Sequence, residues 1–66
     1  MKNSIRVARA ERRLTQQQLA EAIGVSRQTV NAIESGRFIP STVLALKVAR
    51  LFEKPVEEMF SLEEGD

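Results

Sequence analysis

The chain has 66 residues, with neither cysteine nor histidine and with ten basic residues against nine acidic ones. A chain this short has room for a single core and buries only about 60% of its unfolded surface, so economical packing of short elements must do what disulfides or a zinc site do elsewhere, with a partner copy as an expected aid. No run reaches the roughly 20 apolar residues that a bilayer span requires and Met1–Ala10 lacks the apolar stretch of a signal peptide, so a cytoplasmic location without membrane attachment is expected.

Asn3 to Arg13 reads as a first helix, with Ile5, Val7 and Ala8 inward and the arginines outward. Thr15 then has the character of an N-cap and Gln18 completes a capping box, which starts a second helix at Gln16. This helix buries Leu19, Ala20 and Ile23 and ends at Gly24. Ser26 is the next N-cap. The third helix carries Val30 and Ile33 on one face, runs to Ser35 and stops at Gly36. "RFIP" is a loop, and Ser41 caps a fourth helix whose apolar set (Val43, Leu44, Leu46, Val48, Leu51, Phe52) is broad enough for the central helix of the core. Pro55 suits the first position of a short fifth helix carrying Val56, Met59 and Phe60. The fold class is therefore all-α: a five-helix bundle, one domain over residues 1–66, with a helix-turn-helix unit over about 16–35.

Two helices joined as closely as those in "LTQQQLAEAIGVSRQTVNAIESG" cannot lie side by side, so the turn projects the third helix away from the body. Its first residues off the apolar face are Arg27, Gln28, Thr29 and Asn31. Arg can pair with guanine O6 and N7, and Gln or Asn with adenine N6 and N7, each pair giving about 1–3 kcal/mol of discrimination. Thr29 offers a methyl to thymine or a hydroxyl to a backbone. These four are the expected base-contacting residues.

Charge divides along the chain. Met1–Phe38 holds seven basic residues against three acidic, and Ile39–Asp66 three against six. The first half is built to meet an anion. The expected phosphate-contacting residues are Gln16, at a helix N-terminus whose free amides favour an anion, with Ser26, Ser35, Arg37 and Phe38 flanking the third helix. Arg6, Arg12 and Arg13 read first as a solvated helix face.

The pattern "R…LTQQQLAEAIGVSRQTVNAIESG…P", continued by "STVLALKVARLFEKPVEEMF", resembles the phage Cro and repressor-type helix-turn-helix regulators, also called Xre-like. The resemblance implies a sequence-specific double-stranded-DNA-binding regulator, usually a repressor, acting as a homodimer on a two-fold operator. It implies base contacts by Arg27, Gln28, Thr29 and Asn31, and phosphate contacts by Gln16, Ser26, Ser35 and Arg37. Ser35 stands where many relatives carry Asn. It further implies a structural ion pair of Arg9 with Glu34. By the same similarity, Phe52, Val56, Met59, Phe60 and Leu62 lie near the dimer contact, and Met1–Asn3 forms a small strand pair with Phe60–Leu62.

Other classes fit less well. With no His, Cys, Tyr or Trp the five serines lack an ordinary base, and the carboxylates show no pattern that would split their pKa values, which argues against an enzyme. No metal, cofactor or small-molecule ligand is expected. RNA binding lacks stacking aromatics, with only three Phe. An antitoxin or other protein-interaction module of the same fold, autoregulating its operon, is the closest rival.

Overall fold

Thr15, Ser26 and Ser41 each start a helix by the same device: an extended backbone and a side-chain oxygen that accepts the amide three residues on. In the computed structural model, which describes residues 1–66, these caps open α2 (Gln16–Ile23), α3 (Arg27–Glu34) and α4 (Thr42–Phe52). At Thr15 the box is complete, because Gln18 N donates to Thr15 Oγ1 at 3.0 Å and Thr15 N donates to Gln18 Oε1 at 2.9 Å. α1 (Ile5–Arg12) is held differently. Asn3 Oδ1 accepts from Ile5 N, and Ser4 donates through its amide to Met59 O and through its hydroxyl to Glu58 O. α1 therefore starts against the end of α5 (Val56–Met59).

This junction continues into a two-stranded antiparallel sheet of β1 (Lys2–Asn3) and β2 (Phe60–Ser61), with Lys2 opposite Ser61 and Asn3 opposite Phe60. The strand pair implied by the resemblance is present, one residue shorter at each outer end. The bundle is otherwise all helix. Pro55 sits at the N-cap of α5, one position before the expected one.

Helix ends divide into two kinds. α2 ends on Gly24 at φ +76°, and Gly36 lies beyond α3 at φ +79°. α1 and α4 end on Arg13 and Glu53, both at φ +55°, a left-handed conformation that side chains other than glycine adopt at a cost. No glycine marks those two stops, and α1 is shorter at both ends than the expected Asn3–Arg13.

Every helix contributes to one core: Ile5 and Ala8 from α1, Leu19, Ala20 and Ile23 from α2, Val30 and Ile33 from α3, Val48, Ala49 and Phe52 from α4, and Met59, with Phe60 of β2 closing it. Leu19, Val48 and Met59 are wholly buried. Truncating Leu19 to Ala would remove about 2–5 kcal/mol, a large share of a small domain's stability.

Three apolar residues expected inward are outside. Val7 is 62% exposed because it lies two 100° steps round the helix from Ile5, nearly on the opposite side of α1 from it. Val43 and Leu46 are 64% and 54% exposed. α4 buries only its Val48, Ala49 and Phe52 face, with Leu44, Ala45 and Leu51 partly covered, so it closes one side of the core rather than passing through its centre.

Candidate nucleic-acid interface

The turn between α2 and α3 uses Gly24 to Ser26. Gly24 N and Val25 N both donate to Ala20 O, which folds the chain back on the end of α2. A Cβ at Gly24 would touch nothing within 4 Å, so the requirement for glycine there is the positive φ and not space. Val25 then tucks against the core and Ser26 starts α3. Because Val30 and Ile33 pin one face of α3, Arg27 and Gln28 are exposed on the other and Asn31 is half-exposed.

Thr29 is only partly accessible, and its hydroxyl lies 3.0 Å from Ser26 Oγ, which also accepts Thr29 N at 3.1 Å. The two hydroxyls form part of the cap. Arg27, Gln28, Asn31 and Ala32 line a shallow concavity closed on its far side by Arg37. Of the base-contacting set, the structure thus brings together Arg27, Gln28 and Asn31, and turns the Thr29 hydroxyl toward the start of its own helix.

The flanking residues differ in what they leave free. At the start of α2 the amides of Gln16 and Gln17 face no carbonyl within the helix, and the helix dipole makes that end attractive to an anion. The Gln16 side chain donates from Nε2 to Glu34 Oε2 at 2.7 Å. Ser35 Oγ donates to Ala32 O at 3.1 Å and accepts from Arg37 Nε at 2.9 Å. Arg37 Nη2 donates to Asn31 Oδ1 at 2.8 Å. The amides of Arg37 and Phe38 both donate to Ala32 O, so the Phe38 N–H through which a backbone contact to a phosphate would run is already used, while the residue is 48% exposed.

Behind this face, Arg9 donates from Nε to Glu34 Oε1 at 2.8 Å and from Nη2 to Oε2 at 3.3 Å. Its Nη1 donates to Leu14 O at 2.7 Å. The Glu34 side chain is fully buried, and with Gln16 it ties α1, α2 and α3 together. Arg12, read from sequence as part of a solvated face, donates to Leu51 O and Phe52 O and lies over the Phe52 ring, 5.7 Å from its centre. It caps α4 and stacks on it. The spacing of residues gave no sign of this, because the partner carbonyls lie on a helix far along the chain.

The residues expected near a dimer contact separate by burial. Phe52 and Met59 are 2% and 0% exposed, and Phe60 is 9% exposed, so the surfaces of the first two are already covered within the protomer. Val56 is half-buried and Leu62 is 78% exposed. Val56 and Phe60 line a groove with Ile39, Pro40 and Leu46. Ile39 and Leu46 are exposed apolar residues that the sequence reading had not assigned to a surface. The groups able to hold a metal ion nowhere gather in threes, and no helix is long and apolar enough to cross a membrane.

Comparison with known proteins bears on this face. A family model described as Helix-turn-helix matches residues 5–59. The chain is similar to the uncharacterized HTH-type transcriptional regulator YgzD of Bacillus subtilis, 47% identical over 64 residues covering 97% of each chain. It is similar also to an uncharacterized HTH-type transcriptional regulator of Methanocaldococcus jannaschii, 46% identical over the full length of both. The ImmF control region 10 kDa protein of Bacillus phage phi105 is 40% identical over 47 residues, 71% of this chain and 52% of the phage protein.

Proposed function

Because the chain belongs to the helix-turn-helix family of DNA-binding transcriptional regulators, we propose that it is a cytoplasmic repressor that binds a palindromic operator as a homodimer, with α3 of each protomer in the major groove. The observation that carries this reading is the outer face of α3. Arg27, Gln28 and Asn31 stand together there, off the core and reachable by base edges, beside Arg37 and the open amides at the start of α2. Gln16, Ser26 and Arg37 serve the phosphates on either side, while Ser35, whose hydroxyl and amide donate to Ala32 O and Asn31 O, supports Arg37. Thr29 contributes its methyl rather than its hydroxyl, and Phe38 contributes its ring rather than its amide. The regulatory role accords with relatives named as transcriptional regulators and as a phage control-region protein.

Homodimerisation would use the groove of Ile39, Leu46 and Val56 with the edge of Phe60, and Leu62 beside it. It would set two α3 helices one duplex turn apart, about 34 Å.

Selection of bound sites from random duplexes, followed by titration of variants, tests the reading. Wild-type protein should recover a two-fold symmetric site. Gln28→Ala should flatten preference at one symmetric pair of positions with the salt slope unchanged, whereas Arg37→Ala should weaken binding to all duplexes and lower the salt slope by about one. Equal losses of Gln28→Ala on selected and random DNA would refute the assignment of α3 to base reading.

A further inference from the structure

We infer that Arg37 is a specificity-determining positioning residue: it holds the carbonyl oxygen of Asn31 and leaves the NH2 group as the free end of the amide, which biases Asn31 toward guanine over adenine. This rests on the proposed assignment of Asn31 to base reading. Three bonds in series carry the inference. Ser35 Oγ donates its one hydrogen to Ala32 O, and in doing so presents a lone pair to Arg37 Nε at 2.9 Å. The guanidinium, fixed in plane by that contact, reaches Asn31 Oδ1 from Nη2 at 2.8 Å.

Arginine has donors and no acceptor, so the Asn31 atom that meets it must be the carbonyl oxygen. The amide orientation is therefore set by chemistry. A charge-assisted bond is among the stronger hydrogen bonds, and it holds Oδ1 at the guanidinium. What Asn31 has left to offer is its NH2 group.

An asparagine that reads adenine uses both ends of its amide, with the oxygen accepting from N6 and the nitrogen donating to N7. Arg37 takes one of the two Oδ1 lone pairs, so an adenine N6 hydrogen would have to share that oxygen with the guanidinium, whose positive charge beside it disfavours a second donor. Guanine presents N7 and O6, both acceptors, to the same NH2 group. The neighbouring guanidinium adds attraction to that acceptor-rich edge. Asn31, Ala32 and Arg37 line one concavity, so the pair would meet the duplex as a unit.

The test is a double-mutant cycle read as base preference. Sites are selected from random duplexes with wild type, Asn31→Ala, Arg37→Ala and the double variant, and the reference position is the one whose preference Asn31→Ala erases. Wild type should favour guanine over adenine there by about tenfold. Arg37→Ala should abolish that preference, over and above its loss of affinity on all duplexes, and should do nothing further to the position when Asn31 is already Ala. Arg37 is exposed, so thermal melting should be unchanged in these variants. An adenine preference in wild type, or an Arg37→Ala variant that keeps the guanine preference which Asn31→Ala removes, would overturn the positioning role and leave base reading intact. An Asn31→Ala variant that alters no position would remove the assignment of Asn31 itself.

Discussion

Glu34 is a carboxylate buried among three helices, and it is tolerated there because Arg9 and Gln16 saturate it from two sides. Such a pair contributes little net stability while intact, but removing one member leaves an uncompensated charge in the interior. Arg9→Ala should therefore cost about 3–5 kcal/mol, enough to leave much of so small a domain unfolded at 25 °C. Urea unfolding followed by circular dichroism measures it, and an unchanged midpoint would show that the network is not structural. At the same scale Arg12 spends its charge on the last carbonyls of α4 and its plane on the Phe52 ring. Neither arginine is free for DNA. A count of basic residues in the first half of the chain thus overstates the charge free to meet an anion, since Arg9 and Arg12 are engaged while Arg27 and Arg37 stay exposed beside α3.

Among the elements, the caps were legible in the chain and half of the stops were not. Thr15 with Gln18, Ser26 and Ser41 act over three residues, and a signal of that range survives in a linear reading. Gly24 does too. Gly24→Ala has room for its methyl and should lose only the cost of the left-handed backbone, about 1–2 kcal/mol, with the α2–α3 geometry kept. The converse holds at the end of α4, where Glu53 takes φ +55° beside a helix C-terminus that disfavours an anion. Glu53→Gly should stabilise the protein by about 1 kcal/mol, since its contact with Arg12 is exposed and 4.0 Å long. Thermal melting of the two variants should move in opposite directions. A drop in Tm for Glu53→Gly would mean that the surface pair outweighs the backbone strain. Stops of this kind escape a sequence reading because a left-handed residue other than glycine leaves no compositional mark.

At the scale of the whole molecule, α4 leaves an apolar side uncovered. Ile39, Val43 and Leu46 are all more than half exposed, with Val56 beside them. If the proposed dimer uses the groove at Leu46, then Leu46→Asp should shift the protein to monomer in sedimentation without lowering protomer stability. Operator affinity should then fall by about 100-fold or more as the second half-site is lost, with single half-site binding preserved. An unaltered dimer would move the interface elsewhere, and a wild-type monomer at operator-binding concentrations would remove the two-fold site.

The linear order of residues determined the helices, their caps, the glycine turn and the polar face of α3, because each depends on groups within a turn or two of one another. It also named the apolar residues of α4. Which of them would be covered was decided only when α1, α2 and α5 packed, since a helix with apolar groups on two sides has no local reason to bury one rather than the other. Tertiary structure likewise sent Arg12 to α4 and joined Asn3 to α3, where Asn3 Nδ2 donates to Ile33 O at 2.8 Å. These are pairings between distant segments, and their energy exists only once the chain has brought them together.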